Sequence, residues 1–162
     1  MTKEFYEASI AAISSSKAKK AAFGAVYKGL PIVMFISYPL MLLYMLLTQD
    51  ERFLKCFAVP LFMFLTLSLA RRYINAPRPY EVYDFTPLYP KDTQGKSFPS
   101  RHTASAMVIA MAFLSFSPVL GAAFAAAAIL IAASRIFGGV HFPKDVIAGV
   151  LYAVACGMVM IL

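Results

Sequence analysis

Five apolar runs divide this chain, separated by polar or helix-breaking residues. They are Pro31 to Thr48, Phe53 to Ala70, Ser100 to about Phe116, Val119 to about Arg135, and Asp145 to Leu162. Each holds roughly 17 to 18 residues, the short end of what crosses about 30 Å of hydrocarbon. The pattern predicts an all-α integral membrane helical bundle of about five transmembrane helices. Pro39 and Pro60 fall inside runs, where neighbours must cover the carbonyl each proline frees. The fourth run is rich in alanine and therefore suited to close helix packing. No internal repeat is visible.

The segments between the runs differ in kind. Residues 1–28 scatter Ala, Ile and Phe among Ser14-Ser15-Ser16 and Lys17, Lys19 and Lys20. This segment is too polar to span, so an amphipathic helix at the interface is expected, its lysines toward anionic headgroups. No apolar stretch of signal-peptide type precedes Lys17, so none is expected. The transmembrane domain then covers 29–162. Within it, 71–100 is the one long polar connection, with prolines at 77, 79, 87, 90 and 99. That composition predicts a structured loop with at most short helical turns, and its length suggests function. Ser100 is placed to cap the third helix.

Parity constrains where these connections lie. With five spans, the loops at 71–99 and 137–144 share one membrane face, while Gln49–Arg52 and Ser117-Pro118 share the other. Arg71, Arg78, Ser100, His102, Arg135, His141 and Asp145 are thereby brought to one end of the bundle. Ionisable groups gathered at the edges of spans mark chemistry in membrane proteins. Arginines fork onto phosphate oxygens, and a His–Asp pair makes an oriented imidazole. The two histidines of the chain both lie in this set.

Composition narrows the partner. The chain is 60% hydrophobic and carries a net charge of +7, from 15 Lys and Arg against 8 Asp and Glu. Nucleic acid is not the expected partner, because the arginines sit between apolar spans rather than along an exposed face. Membrane lipids and phosphorylated headgroups fit the charge better. Cys56 and Cys156 lie within apolar runs and read as small core residues. Glu81, Asp84 and Asp92 are dispersed along the loop, which does not suit a Mg²⁺ site. The expectation is chemistry without metal or other cofactor. Arg72 reads as an interface anchor and Lys91 and Lys96 as solvated loop charges. Tyr80, Tyr83 and Tyr89 read as belt aromatics, and the methionines as lipid-facing or core filler.

Three ordered motifs carry a resemblance. Arg71-x6-Arg78-Pro79, Pro99-Ser100-Arg101-His102 and Ser134-Arg135-x5-His141-x3-Asp145 closely resemble the signature of the type-2 phosphatidic acid phosphatase superfamily. The family's usual lysine is replaced by Arg71 and its usual glycine by Arg101. The resemblance implies that His141 attacks phosphorus and forms a phosphohistidine, oriented by Asp145. It implies that His102 protonates the leaving group and then activates water. Arg71, Arg78, Ser100, Arg101 and Arg135 would bind the phosphate oxygens.

The implied activity is a lipid phosphate or diphosphate phosphatase of a bacterial plasma membrane. Undecaprenyl diphosphate is favoured because Arg101 adds charge. Phosphatidylglycerol phosphate, phosphatidate and lipid A phosphate are the other candidates. A phosphotransferase using the same intermediate and a non-catalytic lipid-binding protein are the alternatives. The resemblance implies a site facing away from the cytoplasm, although Lys17, Lys19 and Lys20 pull the other way under the positive-inside tendency. The sequence leaves the oligomeric state open.

Overall fold

A computed structural model describes residues 1–162, and helices are its only regular elements. In chain order they are α1 (Lys3–Ser14), α2 (Lys17–Gly24), a π-turn (Ala25–Gly29), α3 (Leu30–Leu47) and α4 (Phe53–Ile74). A short α5 (Pro79–Tyr83) precedes α6 (Arg101–Phe116), α7 (Pro118–Phe137), α8 (Pro143–Gly157) and a closing 3-10 turn (Met158–Met160). Four stretches are long and apolar enough to cross a membrane: Lys17–Leu47, Phe53–Tyr83, Pro118–Phe137 and Pro143–Met160. The expected fifth, α6, has 16 residues and is the central helix, packed most extensively on α7 and α8.

The N-terminal segment departs from expectation. It forms two helices, not one, because Ser16 breaks the chain and caps α2, accepting from the Lys19 N–H at 3.1 Å. The second of them runs through the π-turn into α3, so the first long helix begins well before Pro31. Similarly, α4 extends past Ala70 to Ile74, where Asn75 takes the left-handed conformation that ends it. Arg71 is therefore a helical residue and not the first residue of a loop.

Side-chain size explains the packing. Met34, Met41, Met45, Met63, Met107, Met111 and Met160 are all buried, so the methionines are chiefly core filler around α6. Gly149 lets α8 approach the start of α6; a Cβ there would lie 2.8 Å from the Ser100 carbonyl oxygen. Pro60 has no N–H for the Cys56 carbonyl one turn back. The Tyr38 hydroxyl donates to that carbonyl instead, at 2.7 Å. Outward-facing side chains such as Phe35, Leu47 and Leu54 are at least 70% exposed. Each would forgo about 1.5–3 kcal/mol in water, which a hydrocarbon surround removes.

The two ends of the bundle are tied separately. At one, Arg52 Nη1 donates to the Ser115 carbonyl at 2.7 Å. At the other, the Leu88 N–H reaches the Gly138 carbonyl at 3.2 Å and the Ser100 N–H reaches the Asp145 carbonyl at 2.8 Å. The loops that parity assigns to one face do meet there.

Candidate active site

His141 and Asp145 form the centre. Pro143 starts α8, and Asp145, in its first turn, turns its Oδ2 back to accept from the Phe142 N–H at 3.0 Å. The same oxygen lies 3.4 Å from His141 Nδ1. With Nδ1 facing the carboxylate, Nε2 is directed away from it and is the free nitrogen. His141 is 2% exposed, and burial pushes its imidazole down to about 4 despite the carboxylate beside it. It is neutral at neutral pH, the form in which an imidazole nitrogen can act as a nucleophile.

Ser97, which no sequence motif singles out, completes the pair. It is fully buried, donates to Asp145 Oδ2 at 2.5 Å, and lies 3.3 Å from His141 Nδ1. Asp145 Oδ1 is buried without a partner.

The arginines are held in different ways. Arg71 Nη1 donates to the Ser97 carbonyl at 3.0 Å and to that of Pro99, while Nη2 donates to that of Lys96. Its guanidinium thus fastens the strand of loop that carries Ser97 and leads into α6. Arg78 donates through Nε to the Gly95 carbonyl at 3.1 Å and through Nη1 to the Val140 carbonyl at 3.4 Å. Glu81 staples the same loop, accepting from the Arg78 N–H at 2.6 Å and from the Gly95 N–H at 2.9 Å. Arg135 is 2% exposed, with Nη2 donating to the Tyr27 carbonyl at 2.8 Å and Nε unpartnered. Its own carbonyl accepts from the Val140 and His141 N–H groups, which fixes His141 relative to the end of α7.

Ser100 occupies the N-cap position of α6, but its hydroxyl pairs with Thr103 Oγ1 at 3.0 Å and does not cap the helix. Its contribution to the network is the backbone bond to Asp145. Arg101 is exposed, its guanidinium 5.6 Å from the Phe64 ring centroid and outside the buried hydrogen-bond network. His102 opens onto an apolar cavity of ≈ 330 Å³ between α3, α4 and α6, lined by Pro31, Ile32, Met34, Phe35, Phe64 and Ile109 among others. The charged groups around His102 are Arg135, Lys91, His141 and Arg101.

Lys91 corrects a sequence expectation. It is half-buried and not solvated, and burial together with Arg135, Arg78, Arg101 and Arg71 lowers its ammonium to about 8. Tyr83 and Tyr89 also make contacts within the chain. Tyr83 donates to the Met1 carbonyl at 2.8 Å, and the Tyr89 ring lies 4.8 Å from that of Tyr27. The N-terminal segment thus closes over the site. Tyr6 of α1 is fully buried, stacks on Phe85 at 5.3 Å and lies 3.4 Å from the His141 carbonyl. Gly139, at φ +78°, has no Cβ to collide with Phe85.

The expected residues therefore converge. His141, Asp145, Arg71, Arg78 and Ser100 are joined by hydrogen bonds, directly or through Ser97 and Val140. Arg135 adjoins through its backbone, and His102 and Arg101 flank the open side.

Residues 52–162 match the model of the PAP2 superfamily. A lipid A 1-phosphatase of Rhizobium etli is 34% identical over 101 residues, covering 59% of this chain and 43% of the relative. The undecaprenyl-diphosphatase BcrC of Bacillus subtilis is 33% identical over 81 residues, covering 50% of this chain and 42% of the relative. The chain spans less than half the length of these curated relatives. The crystal structure of Aquifex aeolicus LpxE has a TM-score of 0.64 at 25% identity, covering 86% of this chain and 92% of that one. A PAP2-type phosphatidylglycerolphosphate phosphatase of Bacillus subtilis shares the fold, with a TM-score of 0.55 at 23% identity and coverage of 97% and 89%.

Proposed function

The chain belongs to the PAP2 superfamily, and on that footing we propose that it is a membrane-embedded lipid phosphatase working through a phosphohistidine. The observation that carries this reading is the neutral, buried His141, turned by Asp145 so that Nε2 is free beside an arginine cluster.

In the first half-reaction Nε2 attacks phosphorus, a P–N bond forms, and the P–O bond to the lipid breaks. His102 gives its proton to the departing oxygen. In the second, water attacks phosphorus and gives a proton to His102. The P–N bond then breaks, releasing phosphate and restoring His141. Arg135 and Arg78 bind the equatorial oxygens, while Arg71 contributes charge and holds the loop; such preorganised donors carry most of the catalysis of phosphoryl transfer. This donor set is cationic, and the reaction proceeds without a metal ion.

The lipid's tail occupies the apolar cavity at His102, which opens between helices toward the bilayer. α6 is the fifth crossing: 16 residues span about 24 Å, and its polar start sits at headgroup depth. The site faces the extracytoplasmic side of a bacterial plasma membrane. A cysteine placed at Asp84 should therefore react with an impermeant maleimide on intact cells.

Lys91 and Arg101 support a diphosphate as the preferred headgroup. They add two cations to the arginine cluster, Lys91 lying within reach of Arg135, Arg78, Arg101 and Arg71, a field that a second phosphate neutralises. An isoprenyl diphosphate, undecaprenyl diphosphate above all, combines that headgroup with an apolar tail.

Phosphate release by the purified protein tests the reading. It should proceed in EDTA, faster with isoprenyl diphosphate than with the monophosphate of the same alcohol. His102→Ala should lower it by about a hundredfold or more. Loss of activity on chelation would defeat the arginine-based scheme.

A further inference from the structure

Tyr27 lies outside the stretch that matches the family, which begins at residue 52, yet it contacts the Arg135 side chain in two ways. The Tyr27 carbonyl accepts from Nη2 at 2.8 Å, and the guanidinium carbon sits 4.0 Å from the centre of the Tyr27 ring. One residue therefore holds both an edge and a face of the guanidinium. Both residues are buried, Tyr27 at 5% and Arg135 at 2% exposure.

The local sequence explains why that carbonyl is available. Tyr27 lies in the π-turn Ala25–Gly29. Four residues on is Pro31, which has no N–H to donate back to it. A π-turn within an α-helix frequently marks a functional position. The same device appears at Pro60, where the freed Cys56 carbonyl is taken up by Tyr38. At Pro31 the freed carbonyl is taken up by an arginine of the site. The Tyr27 ring is itself fixed, against Tyr89 at 4.8 Å and Phe23 at 6.0 Å. Gly138 leaves it room, since a Cβ there would lie 3.1 Å from the ring. The Tyr27 hydroxyl has no partner, so the ring and carbonyl, not the phenol, account for the contact.

We propose that Tyr27 is a positioning residue for Arg135, holding its guanidinium so that the unpartnered Nε–H meets the phosphate. This rests on the lipid phosphatase reading given above. Cation–π contact between desolvated groups and a charge-assisted hydrogen bond are both strong enough to set a side chain's orientation.

The test uses the full chain, with kcat, KM and inhibition by inorganic vanadate as readouts. Tyr27→Leu should lower kcat about tenfold and weaken vanadate inhibition by a similar factor, with KM little changed. Tyr27→Phe, which keeps ring and carbonyl, should restore what Tyr27→Leu loses. Pro31→Ala returns a competing N–H to the carbonyl and should lower kcat about fivefold; it carries the test if Tyr27→Leu does not fold. Both substitutions should have no further effect in an Arg135→Ala background. Wild-type kinetics in Tyr27→Leu or Pro31→Ala, or an undiminished loss in the Arg135→Ala background, would overturn the proposal. If instead Arg135→Ala itself leaves turnover and vanadate inhibition unchanged, the assignment of Arg135 to the phosphate fails first.

Discussion

His141→Ala should release phosphate at least about a thousandfold more slowly than the wild-type chain, with thermal unfolding in detergent little changed. The magnitude follows from the proposed role of His141 as the group that attacks phosphorus. No second nucleophile lies beside it: the Ser97 hydroxyl is fully buried and donates to Asp145. Asp145→Asn should cost about a hundredfold or more, because an amide no longer selects the tautomer with Nε2 free.

The pH profile tests the same group without a mutation. His141 must be neutral to attack, and burial lowers its pKa from the ordinary 6.5 to about 4. Activity limited by this group should therefore hold from neutral pH to about 5 and fall as pH drops through about 4. An acid limb near 6.5 that vanishes on substituting His141 would mean an open, solvated imidazole, against the observed burial.

Arg71→Lys should lower both stability and turnover, although lysine is the residue usual at this place in the family pattern. The guanidinium spans three carbonyls, of Lys96, Ser97 and Pro99, and is 7% exposed. An ammonium is a point donor and does not reproduce that fork. Each buried carbonyl left bare costs about 1–3 kcal/mol, so the unfolding temperature should fall by several degrees. The loop so released carries Ser97, whose hydroxyl orients Asp145, so kcat should fall by ten- to a hundredfold more than KM changes. A wild-type Tm and kcat in Arg71→Lys would show that charge alone matters here. Arg71 would then act as a phosphate ligand and not as the fastener of the loop.

How much of this was legible beforehand depends on the range of each interaction. Four long apolar helices followed from apolar runs, and the loops expected on one face, 71–99 and 137–144, do meet. The boundaries were missed where a local signal overrode hydropathy. Polar Arg71 and Arg72 continue α4 because nothing breaks it before Asn75. The N-terminal lysines continue into α3 through a π-turn that no composition announces.

Within the site, residues in a spaced motif were readable: His141, Asp145, His102, Arg78 and Arg135. Ser97 was not, since a serine before Phe98-Pro99 acquires meaning only when folding sets it beside Asp145, 48 positions away. Lys91 read as solvated because its neighbours in sequence are polar; the four arginines around it come from other elements. Tyr6 and Tyr27 lie in a segment that hydropathy assigns to the membrane surface. Only the folded chain brings them over the end of α7.

The central claim is that phosphorus passes through His141, and trapping the intermediate tests it most directly. Isoprenyl diphosphate carrying ³²P in its terminal phosphate, mixed with the His102→Ala chain and quenched in alkali, should leave label on protein. That label should be stable to base, lost in acid, and mapped by peptide sequencing to His141. Steady phosphate release with no labelled protein, or label on any other residue, would contradict the account.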